Sequence, residues 1–188
     1  MKQIRTYLDK IARQTDHDWH IFSSKLSRKE FAKKTLVLKA GQTENYLSFI
    51  EKGIIRFYMP GDENDLTFSF TFANSFVSAY DSFLTQLPCA YHVETLTDTV
   101  FWRLTHSDLQ VIYKETGVGN LIGRHASEEL FLNKSRRELS LLCDSAEQRY
   151  LNLFKEQPHV IRHIPLKYIA SYIGITPQAL SRIRNRIS

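Results

Sequence analysis

The chain has 188 residues, 25 Lys+Arg against 20 Asp+Glu, and a formal net charge of +5. Its 43% hydrophobic and 12% aromatic content is that of a globular protein, which excludes a disordered chain, a collagen-like repeat and a disulfide scaffold. Two cysteines, Cys89 and Cys143, match no metal spacing. The first ten residues are charged throughout and lack a signal-peptide core, and no apolar run approaches a membrane span. The expectation is a cytoplasmic protein with free thiols and no membrane association.

The charge is unevenly placed. From Ser145 onwards seven cations face two anions, whereas the first 144 residues hold 18 of each. A neutral body with a basic C-terminal segment points to a polyanion partner for that segment.

Along the chain, Ile4, Tyr7, Leu8 and Ile11 recur at helical spacing, and a second helix is predicted over Asp16 to Ser24, where an acidic start suits a helix N-terminus. From about Phe31 to Leu104 the period changes. Strands are predicted around Leu36–Leu38, over Tyr46–Ile50 and Ile54–Met59, then, after the turn residues Pro60 to Asp65, over Thr67–Phe72. In the last, Phe68, Phe70 and Phe72 alternate with hydroxyl residues, a stripe read as plain core. Val93–Thr95 and Thr99–Leu104 complete a set of short strands expected to form a sandwich or roll, with the two N-terminal helices packed on its outside.

Thr105 and Asp108 have capping-box spacing for a helix carrying Leu109, Ile112 and Tyr113. A long helix follows, Asn120 to Cys143. Its 3-4 stripe of Leu121, His125, Glu128, Leu132, Ser135, Leu139 and Leu142 mixes apolar and polar residues, leaving both a lone packed helix and a dimer helix open. Ser145 and Gln148 then open a helix with Tyr150, Leu151 and Phe154 as its inner face, ended by Gln157-Pro158.

The most specific segment runs from Ile164 to Arg186. Pro165 suits the first turn of a short helix with Ile169, Ala170 and Ile173 inward. Gly174 can end that helix in the left-handed conformation, Thr176 can cap the next, and Pro177 can start it. Leu180 and Ile183 then face inward, and Gln178, Ser181, Arg182 and Asn185 outward. This is the pattern of a helix-turn-helix whose second helix carries groove-reading side chains: Gln pairs with adenine edges and Arg with guanine O6/N7. Lys167, Arg184 and Arg186 are assigned to phosphates.

The order of roll, long helix and helix-turn-helix resembles the cyclic-AMP receptor protein / fumarate-nitrate regulator (Crp/Fnr) superfamily over nearly the whole chain. The stretch Lys167-Tyr-Ile-Ala-Ser-Tyr-Ile-Gly-Ile-Thr-Pro177 and Leu180-Ser-Arg-Ile-Arg184 is closest to the short members common in Bacteroidetes. The resemblance implies an α+β chain: an N-terminal cyclic-nucleotide-binding-type β-roll (jelly roll) with flanking helices over 1–117, a long dimerisation helix over 118–143, and a helix-turn-helix DNA-binding domain over 144–188. It implies a non-enzymatic homodimeric transcription regulator on a near-palindromic double-stranded operator, with RNA polymerase as a further candidate partner. It places Gln178, Ser181 and Arg182 at base-reading positions and Thr176 at a backbone-contacting one.

Cyclic-nucleotide binders of this family carry a Gly-Glu pair and an Arg-Ser or Arg-Thr pair in the roll. Here Ser78-Ala79 and Cys89-Ala90 stand at those positions, and no Arg or Lys lies between Arg56 and Arg103. A cyclic phosphate needs a charge-assisted donor in its pocket, so cyclic AMP is expected not to bind; no cofactor is assigned and the effector is unknown. Two cysteines are too few for an iron–sulfur sensor. His17, His20, His92, His106 and His125 read as surface or capping residues rather than haem ligands. Two alternatives stand beside this reading. One is a ligand-binding or interaction module with a vestigial helix-turn-helix. The other is a cupin-like metalloenzyme, for which His92 and Glu94 share a strand face but lack partner histidines.

Overall fold

The computed structural model describes residues 1–62 and 64–187. Contacts divide the chain into two compact units, Met1–Phe57 with Phe70–Glu129, and Tyr58–Ser69 with Leu130–Ser188.

In the first unit, α1 (Lys2–Asp9) and α2 (Asp16–Ser24) form where the apolar spacing and acidic start predict them. Thr15 caps α2: its hydroxyl accepts from Asp18 N at 3.0 Å, and the Asp18 carboxylate accepts from Thr15 N at 3.2 Å. The same carboxylate accepts from Gly117 N at 2.9 Å, tying the start of α2 to the loop that precedes the long helix. Bonds from the Thr15 side chain and the Gly117 amide hold the Asp18 carboxyl below its ordinary value.

The strands are β1 (Ser27–Phe31), β2 (Leu36–Leu38), β3 (Tyr46–Lys52), β4 (Ile54–Met59), β5 (Leu66–Phe72), β6 (Phe76–Val77), β7 (His92–Thr95) and β8 (Thr99–Thr105). They form two sheets of order β1-β8-β3-β6 and β2-β7-β4-β5. Strand β1 starts earlier than the change of pattern at Phe31. It is a sheet edge with Arg28, Lys29 and Glu30 all exposed, so it shows no apolar alternation, yet it pairs with β8 from Ser27–Arg103 to Phe31–Thr99. Strand β6 and the short helix α3 (Tyr80–Thr85) are too short to carry a period, so no local pattern predicts them.

The aromatic stripe of β5 is not plain core. Phe68, Phe70 and Phe72 are half-buried, while Thr67 on the hydroxyl face is fully buried. One core cluster of this unit lies where α1 and α2 pack on the roll: Ile4, Leu8 and Phe22 meet Phe49, Phe83 and Leu104, with Leu109 and Ile112 from α4 (His106–Glu115). Each such side chain stabilises the fold by about 1.5–3 kcal/mol relative to an exposed position. The Thr105–Asp108 capping box of α4 is formed in both directions.

The long helix α5 (Gly119–Cys143) runs from the first unit into the second. Gly123 passes so close to α4 that a Cβ there would lie 2.7 Å from the Tyr113 hydroxyl.

In the second unit, α6 (Ala146–Glu156) is capped by Ser145, which accepts from Gln148 N at 3.1 Å. Gln148 does not reciprocate; its amide reaches Asn152 instead. The inner face of α6 is Tyr150 and Leu153, whereas Leu151 and Phe154 are exposed, which corrects the face read from spacing. Pro158 ends α6 and also starts another helix, α7 (Pro158–His163), its missing N–H being harmless at the first position. Then come α8 (Leu166–Ile173) and α9 (Pro177–Ile187). Val160, Ile164, Ile169, Ala170, Ile173, Leu180 and Ile183 join Tyr150 and Leu153 as the buried set of this unit.

Candidate functional site

Helices α8 and α9 are joined by Gly174, Ile175 and Thr176. Gly174 lies at φ +79°, ψ +34°, the left-handed region. The Gly174 N–H donates to Ser171 O at 3.2 Å and the Ile175 N–H to Ala170 O at 3.0 Å. That pair of bonds is a Schellman stop, which satisfies two carbonyls left over at the end of α8. Pro165 stands as the residue before α8 rather than inside its first turn. The Thr176 hydroxyl accepts from Ala179 N at 3.2 Å, capping α9 with Pro177 at its first position.

On α9, Leu180 and Ile183 are buried, and Gln178, Ser181, Arg182, Arg184, Asn185 and Arg186 are exposed. The outer face is thus three arginines interleaved with amide and hydroxyl groups. Arg186 is already engaged: its Nη2 lies 2.7 Å from Glu147 Oε2 of α6. Lys167 is exposed on α8, with Nζ 4.7 Å from the centre of the Tyr168 ring. Thr176 divides its use, the oxygen accepting from the helix and the hydroxyl proton remaining to donate.

Residues that sequence reading did not single out hold α8 in place. Arg149 of α6 donates through Nε to Ile173 O at 2.9 Å and through Nη1 to Asp144 O at 2.6 Å. Arg137 of α5 donates to Tyr172 O and lies 3.9 Å from the centre of the Tyr172 ring. Ser171 meets the turn between β4 and β5: its Oγ donates to Asp65 O at 2.6 Å and accepts from Thr67 N at 2.8 Å. Three consecutive residues of α8 are therefore each tied to a different element. No local pattern signals these bonds, because the partners lie 24 to 106 residues away in sequence.

Ser78, Ala79, Cys89 and Ala90, expected from the resemblance to stand at the family's phosphate-contact positions, all lie in the first unit. Ser78 Oγ donates to Tyr46 O at 2.9 Å, Ala79 is fully buried just before α3, and Ala90 is exposed. Cys89 is buried, with Sγ 3.1 Å from Tyr91 O, and burial pushes its thiol up. The groups beside them are acidic. The Tyr91 hydroxyl donates to the Asp81 carboxylate. The Glu44 side chain is buried and accepts from Tyr46 N at 2.9 Å and from the Asn45 and Ala79 amides; burial nevertheless outweighs these bonds and raises its carboxyl. Arg103 stacks 3.9 Å from the Tyr46 ring centre and is electrostatically coupled to Glu44. Arg56, on β4, is almost fully buried and pairs with Glu94 at 2.9 Å. His92 accepts from Ala40 N through Nδ1 at 2.9 Å. Among the described residues, no three His, Cys, Asp or Glu side chains are grouped so as to hold a metal ion. No helix among them is long and apolar enough to cross a membrane.

Residues 28–116 match the family model described as cyclic nucleotide-binding domain. No curated protein matches the sequence. Among solved structures, the c-di-GMP responsive global regulator CLP of Xanthomonas campestris is 16% identical, with a TM-score of 0.69 over 90% of this chain and 90% of that one. A crp/fnr-family putative transcriptional regulator from Eubacterium rectale is 16% identical, TM-score 0.69, over 95% and 85%. FixK2 from Bradyrhizobium japonicum is 15% identical, TM-score 0.69, over 86% and 84%. The chain therefore carries a cyclic nucleotide-binding-type roll and has the fold of Crp/Fnr-family regulators.

Proposed function

We propose that the protein is a sequence-specific DNA-binding transcription regulator of the Crp/Fnr type, acting as a homodimer, with α9 as the groove-reading helix. The observation that carries this reading is the division of α9: Leu180 and Ile183 anchor it, while Gln178, Ser181, Arg182 and Asn185 stand exposed on the outside. Those residue types match base edges in the major groove. Lys167, Arg184, Arg186 and Thr176 serve the phosphate backbone, Arg186 by exchanging its bond to Glu147 for a phosphate.

The dimer rests on α5. Within the single chain its one buried residue is Gly119, and Leu132, Leu139 and Leu142 are 50%, 58% and 76% exposed. They fall on the 3-4 stripe that marks a helix–helix seam. A 25-residue helix with so little of its surface covered gains its stability from a partner. Pairing two copies along this stripe presents two reading helices to successive turns of one DNA face.

The roll is not a cyclic-nucleotide receptor on this reading. Cys89 and Ala90 offer no cationic donor, Arg56 is committed to Glu94, Arg103 is stacked on Tyr46 and coupled to Glu44, and the nearby Asp81 carboxylate opposes an incoming phosphate. Titration with cyclic AMP in a calorimeter is expected to give no saturable heat; a micromolar isotherm would refute this part.

The decisive experiment is selection of bound duplexes from a random pool. It should return a near-palindrome bound with about nanomolar affinity, weakening steeply with salt. Arg182→Ala should weaken that binding by about 1–3 kcal/mol with the fold intact. Undiminished operator binding by the variant would remove α9 from the reading role.

A further inference from the structure

Among the described residues, the buried side-chain atoms without a hydrogen-bond partner are Arg103 Nε, Arg137 Nε, and both Nε2 and Oε1 of Gln14. The arginines have a physical account, because each guanidinium stacks 3.9 Å from the centre of a tyrosine ring. Gln14 has no such account. It is only 6% exposed and stands immediately before Thr15, the cap of α2. That position commonly carries an apolar side chain that staples the first turn of the helix. A buried carboxamide with neither end paired is costly, and in a folded protein it points to a bound water or ion.

Gln14 lines a cavity of about 10 Å³, together with Asp18, Thr116 and the apolar Phe22, Ile112 and Ile122. That is about the space one water molecule needs. The other two polar side chains there have no proton left to give. The Asp18 carboxyl is held in its ionised form and accepts from Thr15 N, the Thr15 hydroxyl and Gly117 N, which leaves about one of its four acceptor sites. The Thr116 hydroxyl gives its proton to Ile112 O at 2.7 Å and accepts from Gly119 N at 3.0 Å, which leaves one lone pair.

These groups define the occupant. It must accept from Gln14 Nε2, donate to Gln14 Oε1, and donate again to an acceptor. A metal cation or an ammonium ion has no lone pair for the Nε2–H. An anion has no proton for Oε1 and meets the Asp18 charge. Water does all three and makes the three bonds usual for a buried water. We propose that this cavity is a binding site for a single structural water, held by both ends of the Gln14 carboxamide, with Asp18 or Thr116 taking its second proton. The water joins the connection between α1 and α2 to the turn from which α5 departs. The site is independent of the DNA-reading role of α9.

The test uses the full chain, as wild type and as Gln14→Met, which keeps the length of the side chain and removes its polar atoms. In wild type, NMR cross-relaxation at the water frequency should reach the Gln14 Cγ protons, which do not exchange with solvent. Oxygen-17 relaxation dispersion counts long-lived waters, and Gln14→Met should lose the amplitude of a single one. Both signals should be the same in sodium and in tetramethylammonium buffers, which sets water apart from a small cation. Absence of the wild-type cross-peaks overturns the proposal, as does loss of the signals in tetramethylammonium. An unchanged dispersion amplitude in a folded Gln14→Met overturns it too, because the long-lived waters then lie elsewhere. If circular dichroism shows that Gln14→Met does not fold, the wild-type cross-peaks decide alone.

Discussion

Gly174 offers a direct test of how α8 and α9 are joined. Its φ of +79° lies where an L side chain is strained, and substitution by alanine confronts that strain alone. The added Cβ would meet only Arg149 Nη2, at an ordinary 3.9 Å, so no steric clash contributes. Holding a non-glycine residue in the left-handed region costs about 1–2 kcal/mol. Alanine recovers part of this by restricting the unfolded chain, by about 0.4–1 kcal/mol. The net loss expected for Gly174→Ala is about 1 kcal/mol. With a urea m-value of about 2 kcal/mol/M the midpoint falls by roughly 0.5 M. Gly174→Asn should lose less, because asparagine tolerates this conformation. Urea unfolding followed by far-UV circular dichroism reads both. If Gly174→Ala unfolds at the wild-type midpoint, or Gly174→Asn is the worse of the two, the Schellman turn between α8 and α9 is not what ends the first helix.

The remaining predictions concern the first unit. Asp18 has its carboxyl below the ordinary 3.8, so its contribution to stability is present above that value; it starts to fall as pH drops through 3.8 and is gone below the lowered folded value. Asp18→Asn should therefore lower stability near neutral pH and flatten the acid limb of a melting-temperature profile; an unchanged limb would show that the Thr15 and Gly117 bonds do not favour the ionised form. Gly123→Ala places a Cβ 2.7–2.9 Å from the Tyr113 ring and hydroxyl, which a bond to Tyr80 holds in position while burial pushes that phenol up to about 12. The overpacking should cost about 1–3 kcal/mol by chemical unfolding, exceeding the helix-propensity gain of about 1 kcal/mol. Combining it with Tyr113→Leu should recover most of the loss, and additive losses in the double variant would refute the contact.

Some of this molecule was legible residue by residue. The boundaries of α2, the strand Ile54–Met59, the Thr105 capping box, the left-handed Gly174 and the inward Leu180 and Ile183 all follow from local chemistry: a cap, a turn and an apolar period each leave their mark within a few residues. The uneven placement of the +5 charge was also a property of sequence alone, and it pointed to the segment that ends in α9.

Other features needed the chain to be folded. Leu153, not Leu151 or Phe154, faces inward on α6, because two faces of that helix are apolar and only the neighbouring helices choose between them. The phenylalanines of β5 alternate as core residues should, yet Thr67, just before the first of them, is the buried one, and Ser171 supplies its backbone with a hydrogen-bond partner from 104 residues away. Arg56 looked like the edge of a cation-free run and is a buried ion pair with Glu94. What sequence by itself determined were the elements and their ends, whose causes are local. What only the tertiary structure decided was which polar groups satisfy one another across the chain, because each such bond depends on two distant residues being brought to within about 3 Å.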